Sequence, residues 1–446
     1  MPTGVRLAGA RSGAVRRRTA VTVLLSLTAS LLVACGSGSD AGGDLTAEPV
    51  TLRFTWWGAD DRHKRTQQVI DLFQKKHPNI TVKGEFKEWN GYWDSLATTM
   101  AANDAPDVMQ MDELYIASYA ERGALLDLTE AKKHLDTADF DQKALATGAI
   151  GGKQYGIPVG LGMYSIMANT DLLAKYDIPL PDDTKWTWDD LRNVGERVSK
   201  ASGGTVWGVQ SPGINDTAGL SIRARQRGGA MFDQDAKVVL PPEVATEYWT
   251  YIADLAKTGV APPPSVTIEK ASAGLNQSAT ATGTAAFGLW WNTQLTALTA
   301  ASGAKLKLLR LPGESQGRSP GAYYKPSMFW SVSARSKHPA EAAAFVSFLA
   351  NDEEAAKVLL TERGVPANTK IRAAISGQLK ETDRAAKEYL DTVPVSDPPR
   401  ITPNGASTVD AILKRHTEDV LFGRTTPGAA AASFIREVQS EVDAAR

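Results

Sequence analysis

Cysteine and histidine are scarce in this sequence. Of its 446 residues, one is cysteine, Cys35, and five are histidine. A single thiol excludes an intrachain disulfide framework and a thiolate metal site. None of the histidines has the spacing of metal-ligating motifs; they are His63, His77, His134, His338 and His416. We therefore expect neither a bound metal nor a cofactor.

The motifs of common enzyme chemistry are missing as well. There is no Gly-rich phosphate loop followed by Lys-Ser/Thr, no dinucleotide fingerprint and no Gly-x-Ser-x-Gly elbow. Carboxylates are plentiful, but adjacent acids such as Asp112-Glu113 point in different directions and do not by themselves form a glycosidase pair. We predict a protein that is not an enzyme. A secreted glycoside hydrolase is the alternative from another class.

The N-terminal apolar run is too short to span a bilayer comfortably. Residues 21–34 follow Arg16-Arg17-Arg18 and precede Cys35-Gly36, as in a bacterial signal peptide that ends in a lipobox. We predict that residues 1–34 are a signal peptide and that Cys35 becomes the lipidated first residue. Residues 35–48, rich in Gly and Ser, are then a flexible tether to the outer side of the cell membrane. Sec and twin-arginine export both stay open.

The charge balance excludes one class of partner. Residues 1–34 carry five arginines and no acid, so the rest of the chain has 44 basic and 50 acidic residues. A mildly acidic body is a poor candidate for nucleic-acid binding. We expect a monomer of ordinary globular composition, with two lobes of more than a hundred residues each.

The hydrophobic periodicity indicates an α/β fold. Val50, Leu52 and Phe54 alternate as in a half-buried strand, residues 61–76 form an amphipathic helix, and residues 80–82 read as a second strand. A strand, a helix and a strand within about 30 residues indicate a parallel sheet. Near the C-terminus, Val438 recurs four residues from both Phe434 and Val442, the spacing of a helix face that is buried in the core.

Tryptophan is the abundant residue that calls for an explanation. There are eleven, and several follow strand patterns directly. A sugar ring offers an apolar face of C–H bonds and a rim of hydroxyls, so aromatic planes and polar side chains together suit a carbohydrate. Burial in the core explains roughly half of the tryptophans equally well. The tryptophans at strand ends are Trp56-Trp57, Trp89, Trp93, Trp290-Trp291 and Trp330.

Several segments resemble the extracellular solute-binding proteins of bacterial ABC sugar importers, the family that includes maltose-binding protein. Their order and spacing behind a lipobox carry the resemblance, which extends along nearly the whole mature chain. They are Leu-Arg-Phe-Thr-Trp-Trp-Gly at 52–58, Ala-Pro-Asp-Val-Met-Gln-Met-Asp at 105–112, Gly-Lys-Gln-Tyr-Gly-Ile-Pro at 152–158, His-Pro-Ala-Glu-Ala-Ala at 338–343 and Arg-Gly-Val-Pro-Ala at 363–367.

This resemblance implies a periplasmic-binding-protein-like fold, with two α/β lobes, a ligand cleft and several interlobe crossings. The expected N-terminal lobe comprises residues 49–159 and 327–368, and the expected C-terminal lobe comprises residues 160–326 and 369–446. The crossings are expected near 158–160, 324–328 and 366–370. The implied function is capture of a mono- or oligosaccharide and its delivery to transmembrane permease subunits.

The resemblance also implies ligand-contacting residues. Asp112 should bind sugar hydroxyls and Trp290 should stack on a sugar ring, with Arg363 reaching the cleft or bracing the hinge. The other expected contacts are Trp57, Tyr164, Glu113, Asn292, Trp89 and Tyr92. The alternative within the same fold is a non-sugar solute, such as a peptide, a polyamine, a phosphate ester or an iron complex.

Overall fold

The computed structural model describes residues 41–58, 60–214 and 216–445. The predicted signal peptide and the lipidation site Cys35 lie outside these residues. Among the described residues, no helix is both long enough and apolar enough to cross a membrane.

Strands and helices alternate along the chain, as the sequence pattern predicted. The strands are β1 (Val50–Trp57), β2 (Ile80–Lys87), β3 (Val108–Met111), β4 (Ala149–Ile150), β5 (Lys153–Gln154), β6 (Ile157–Gly162), β7 (Tyr164–Asn169), β8 (Trp207–Val209), β9 (Ala285–Trp291), β10 (Leu306–Leu309), β11 (Lys325–Val332) and β12 (Val365–Pro366). The helices are α1 (Asp60–Lys76), α2 (Trp89–Ala101), α3 (Glu113–Glu121), α4 (Gln142–Ala146), α5 (Thr170–Lys175), α6 (Trp188–Ala201), α7 (Ala218–Gln226), α8 (Pro242–Lys257), α9 (Pro264–Ser272), α10 (Leu295–Ser302), α11 (Pro339–Asn351), α12 (Glu353–Leu359), α13 (Thr369–Ala374), α14 (Glu381–Thr392), α15 (Val409–Leu421) and α16 (Pro427–Ala444).

The first lobe is built on a six-stranded sheet in the order β12-β6-β11-β3-β1-β2. β1 is parallel to both β2 and β3, whereas β11 joins from late in the chain and is antiparallel to β3 and β6. Leu52, Phe54 and Trp56 are fully buried on one face of β1. The period-two pattern predicted for this strand is therefore confirmed.

The second lobe is built on a four-stranded sheet in the order β10-β7-β9-β8. β8 and β9 are parallel, and β7 is antiparallel to β9. Helix α6 lies so close to β8 that a Cβ atom on Gly208 would come within 2.1 Å of the carbonyl oxygen of Gly195. Only glycine fits at this contact, because a side chain there would push the helix off the sheet.

The chain passes between the two sheets at Met163, since β6 ends at Gly162 and β7 begins at Tyr164. The crossing expected at residues 158–160 is therefore too early. β6 continues because Gly162 is still paired with Lys325 of β11. The lobe boundary expected between residues 326 and 327 likewise falls inside β11, which begins at Lys325.

Residues 41–48 were expected to belong to a flexible tether, and the structure corrects this expectation. The side chain of Ala41 is fully buried in the core of the first lobe. The Thr46 amide donates to Oε1 of Glu341 at 2.9 Å, and Asn79 Nδ2 donates to the Thr46 carbonyl at 2.8 Å. The composition of the segment suggested flexibility, but hydrogen bonds to distant residues hold it in place.

The C-terminal helices α15 and α16 pack against α8 in the second lobe. Phe434, Val438 and Val442 are buried, so the core-facing stripe predicted at this spacing is confirmed. The Thr426 hydroxyl caps α16 by accepting from the Ala429 amide at 3.3 Å, and Pro427 takes the first helical position.

Candidate functional site

In the first lobe, the candidate residues stand at the carboxyl ends of the parallel strands β1, β2 and β3. Trp57 is the last residue of β1, Trp89 starts α2 after β2, and Asp112 follows β3. Asp112 is also the N-cap of α3, since its Oδ1 accepts from the Leu114 amide at 2.9 Å. Because strands of one direction end at the same edge, these side chains face one end of the lobe.

Four rings form what we call the aromatic wall: Trp57, Trp89, Trp93 and Tyr115. The ring centroids of Trp57 and Trp89 lie 5.0 Å apart with perpendicular planes, and Trp93 stacks on Tyr115 at 4.0 Å. Trp89 is 36% exposed, so the wall offers an open ring. Burial, assisted by the neighbouring Asp112 carboxylate, raises the pKa of Tyr115, which indicates that the wall and Asp112 adjoin.

In the second lobe, the parallel strands β8 and β9 end beside a pocket of about 220 Å³. The Trp290 ring lines it, and its Nε1 donates to Thr280 Oγ1 at 2.9 Å. The Ser211 side chain is 4% exposed, and its hydroxyl has no hydrogen-bond partner among the described residues. The polar and aromatic side chains of this pocket are Gln210, Ser211, Thr267, Lys270, Ser278, Trp290 and Gln294.

Trp291 faces the opposite side of β9 from Trp290, as consecutive residues of a strand must. Its ring lies 4.9 Å from that of Tyr164, the residue that pairs with it on β7. Trp291 Nε1 donates to Asp216 Oδ2 at 2.9 Å. Sequence reasoning chose Trp290 for ring stacking and did not assign Trp291, although strand alternation places the two rings on different surfaces.

A group of charged residues lies where the two lobes meet. We call it the junction cluster: Asp112, Glu113, Asp216, Asp410 and Lys325. Lys325 Nζ binds Glu113 Oε2 at 2.5 Å and lies 5.7 Å from the centre of the Trp291 ring. Asp410 Oδ1 accepts from the Thr217 amide at 2.8 Å. Sequence reasoning missed Asp216, Asp410 and Lys325.

Burial and mutual repulsion perturb the titration of this cluster. Burial and the nearby Asp410 raise the pKa of Asp216 to about 6, although the Trp291 and Ala218 N–H groups oppose the rise. Burial also raises the pKa values of Asp112 and Asp410. Burial alone would lower the pKa of Lys325, but Glu113 and Asp112 outweigh it and raise that pKa.

Asn292, one of the expected ligand contacts, is fully buried and instead joins protein segments. Its Oδ1 accepts from the Met163 amide at 2.8 Å, and its own amide donates to the Met163 carbonyl at 2.9 Å. Its Nδ2 donates to the Ala386 carbonyl at 2.9 Å. These bonds fasten the passage between the sheets to the end of β9 and to α14, so we leave Asn292 out of the binding surface.

Arg363 and Tyr92 are also inside the protein. Arg363 is 4% exposed, donates to Gln110 Oε1 at 3.1 Å and to Thr66 Oγ1 at 2.8 Å, and pairs with Glu362. Tyr92 is 1% exposed, and its hydroxyl donates to the Gln110 carbonyl at 2.6 Å. Of the two roles open to Arg363, these contacts favour a brace within the first lobe, and Tyr92 supports the aromatic wall from behind.

The arrangement of these side chains suits an organic ligand rather than a metal ion. Among the described residues, no group of three or more His, Cys, Asp or Glu side chains is placed to hold a metal ion. Each lobe carries aromatic planes beside carboxylate, amide or hydroxyl groups at its strand ends. Together they can take a small hydroxylated ring compound by its apolar faces and its polar rim.

The family model described as bacterial extracellular solute-binding protein matches residues 68–387 of this chain. A lipoprotein encoded in the oleD 5′ region of Streptomyces antibioticus is 29% identical, over 52% of this chain and 50% of its own length. An arabinooligosaccharide-binding protein of Bacillus subtilis is 24% identical over 52% and 53%. The chain thus spans about half the length of these curated relatives.

One solved structure is similar to this chain over most of its length. The periplasmic oligogalacturonide-binding protein of Yersinia enterocolitica superposes with a TM-score of 0.78 and 25% identity, covering 89% of this chain and 99% of that one. The expected two-lobed α/β fold of a solute-binding protein is therefore confirmed.

The raised pKa of Asp216 predicts a dependence of stability on pH. Between the ordinary carboxyl pKa of 3.8 and the folded value of about 6, the folded protein holds a proton that the unfolded chain releases. Stability should therefore fall as the pH rises through this window and stay lower above it. A shift of this size corresponds to at most about 3 kcal/mol, because each pKa unit is worth about 1.4 kcal/mol.

Asp216→Asn should remove most of this fall in stability. Between pH 4 and pH 7, the free energy of unfolding of the variant should therefore rise by about 1–2 kcal/mol relative to that of wild type. Urea unfolding of both proteins at several pH values measures it. The control is Asp254→Asn, which changes an exposed carboxylate on α8. Parallel stability curves for wild type and Asp216→Asn would show that Asp216 does not titrate in this window.

Proposed function

Because the chain belongs to the bacterial extracellular solute-binding protein family, we propose that it is the saccharide-binding component of an ABC importer. It captures a mono- or oligosaccharide outside the cell and presents it to transmembrane permease subunits. The protein acts as a monomer with a single cleft between its lobes.

The observation that carries this proposal is the presence of aromatic planes beside polar groups at the strand ends of each lobe. Ligands of open α/β sheets sit beyond the carboxyl ends of strands. The first lobe supplies the aromatic wall and Asp112 there, and the second supplies Trp290 with the Ser211 hydroxyl. A pyranose needs both kinds of surface, because its faces are apolar and its rim is hydroxylated.

The proposed roles follow from these surfaces. Trp290 stacks on one sugar ring, and Trp57 with Trp89 covers another. Asp112 accepts hydrogen bonds from ring hydroxyls, since no described residue donates to its Oδ2. Glu113 and Tyr164 border the cleft where the lobes meet. The names of the arabinooligosaccharide- and oligogalacturonide-binding proteins support a saccharide as the class of ligand.

We propose that binding is not followed by hydrolysis. A glycoside hydrolase needs one carboxyl group as acid and a second as base or nucleophile on either side of the scissile bond. Here Glu113 is tied to Lys325, and Asp112 caps a helix. Sustained turnover of chromogenic glycosides by the pure protein would favour the hydrolase instead.

The proposed binding surface predicts that two substitutions weaken saccharide binding, each by a different amount. Trp290→Ala should weaken saccharide binding by about 2–4 kcal/mol, because the stacking plane is lost. Asp112→Asn should weaken it by about 1.5–3 kcal/mol, because a charged acceptor becomes neutral. Calorimetric titration with the strongest binder from a saccharide screen measures both.

The matched control is Phe422→Ala. The Phe422 ring is 45% exposed and directly follows α15, at the opposite end of that helix from Asp410. Trp290 is largely buried, so thermal unfolding must accompany its titration. Trp89→Ala tests the 36% exposed ring of the aromatic wall, with thermal unfolding measured in the same way. If Trp290→Ala, Trp89→Ala and Asp112→Asn all bind within twofold of wild type, these positions are structural.

The N-terminal segment predicts a membrane anchor at Cys35. Cys35→Ala should move the protein from the membrane fraction to the soluble extracellular or periplasmic fraction, because the lipid-bearing thiol is gone. Immunoblotting of fractionated cells reads this out, with Ser37→Ala as the control for a change in the same segment. An unchanged membrane fraction for Cys35→Ala would refute the anchor.

A further inference from the structure

The junction cluster contains more negative than positive charge. Four of its members are carboxylates, and Lys325 is the one cation. Its Nζ lies 2.5 Å from Glu113 Oε2, so this pair neutralises itself. Asp112, Asp216 and Asp410 form no ion pair with any residue in the described part of the chain.

The hydrogen bonds to these three carboxylates come from neutral donors. Asp216 accepts from the Trp291 Nε1–H and from the Ala218 amide at 2.9 and 3.1 Å. Asp112 accepts from the Leu114 amide and Asp410 from the Thr217 amide. Neutral donors orient a carboxylate without cancelling its charge, so the excess negative charge remains at the lobe junction.

A separate observation points to a ligand at the same place. Tyr248 is 2% exposed, and its hydroxyl has no hydrogen-bond partner among the described residues. The hydroxyl lies beside the loop that carries Asp216, because a Cβ atom on Gly213 or Gly219 would come within 2.8 Å of it. Burial, assisted by Asp216, raises the pKa of Tyr248. A buried hydroxyl without a partner is costly, and a bound group that donates or accepts there removes that cost.

The surrounding rings also suit a cation. Lys325 Nζ lies 5.7 Å from the centre of the Trp291 ring, so one cation is already held beside an aromatic face in this cluster. Tyr115 of the aromatic wall adjoins Asp112 on the other side. A protonated amine offers three donors and no acceptor, which matches a cluster made mainly of acceptors.

We infer that the junction cluster selects saccharides that carry a protonated amino group over neutral and acidic saccharides of the same size. This inference rests on the saccharide-binding function proposed above. Enclosing unpaired carboxylates in a closing cleft is unfavourable, and a ligand ammonium offsets that cost where a hydroxyl does not. A uronic acid would add a further negative charge.

The amino group belongs at the junction and not in the pocket beside Trp290. Lys270 lines that pocket, and its Nζ donates to the Gln277 carbonyl at 3.3 Å and to Thr282 Oγ1 at 3.2 Å. Lys325 at the junction is paired with Glu113, whereas Lys270 forms no ion pair with any described residue, so its charge repels a second cation. The amino group of the ligand therefore lies beside Asp216 and Asp410.

Calorimetric titration of the full chain in detergent at about pH 7 tests this selection. The probes are the dimer of glucosamine, cellobiose and digalacturonic acid, and a second set pairs maltose with its 2-amino analogue so that linkage does not decide the outcome. In whichever of the two sets the protein binds, we expect the amino saccharide to bind at least about tenfold more tightly than its neutral partner. This difference in affinity should be smaller at high salt. Digalacturonic acid should bind weakest.

Charge-removing variants locate the effect. Asp216→Asn and Asp410→Asn should each lower affinity for the amino saccharide about tenfold and leave affinity for the neutral one within about twofold. Asp254→Asn, which changes an exposed carboxylate of the same lobe, should alter neither. Folding of each variant is checked by thermal unfolding.

The outcomes separate the two claims. If a neutral saccharide binds as tightly as its amino partner, or if neither Asn variant affects the amino saccharide, the charge selection is wrong and the saccharide-binding function stands. If digalacturonic acid binds most tightly, the charge selection is wrong as well. If no saccharide of either set binds, the selection and the proposed function fail together.

Discussion

The hydrogen bonds between Asn292 and Met163 are the contacts on which the arrangement of the two lobes depends. Met163 alone separates β6 of one sheet from β7 of the other. Asn292 binds the amide of Met163 through Oδ1 and its carbonyl through the Asn292 amide. The end of β9 is thereby fixed to the passage between the lobes. Trp290 and Trp291, which directly precede Asn292, take their positions from this attachment.

The same junction concentrates charge that a stable core would avoid. Asp216 is held by Trp291 but repelled by Asp410, and both residues are half-buried. Such a cluster costs stability in the folded protein, and the rest of the fold must supply the difference. Buried carboxylates kept at a cleft are expected where a ligand, rather than the protein, provides their partner.

Local sequence patterns predicted the secondary structure that depends on one segment of the chain at a time. The alternation in β1, the helix after it and the buried stripe of α16 follow from periodicity, which each segment carries by itself. Trp57, Trp89 and Asp112 lie at or just after the ends of strands, as the sequence pattern predicted. The expected ligand-binding roles remain proposals for all of these residues and also for Trp290, Tyr164 and Glu113.

These local patterns could not predict contacts between segments that are distant in the sequence. Asn292 stands beside two tryptophans and looked like a ligand contact, but its partner Met163 is 129 residues away. Lys325 and Asp410 meet Asp112 through chain passages that no local pattern encodes. Residues 41–48 have the composition of a linker, yet Glu341 and Asn79 bind them from remote positions.

We propose that one saccharide is enclosed between the two lobes, which hinge at this junction. Small-angle X-ray scattering of the protein with and without saturating saccharide measures it most directly, with calorimetry confirming occupancy. We expect a smaller radius of gyration when the saccharide is bound, and no change for Trp290→Ala at a saccharide concentration that leaves this variant unoccupied. An unchanged radius for the fully occupied wild-type protein would contradict closure around the ligand.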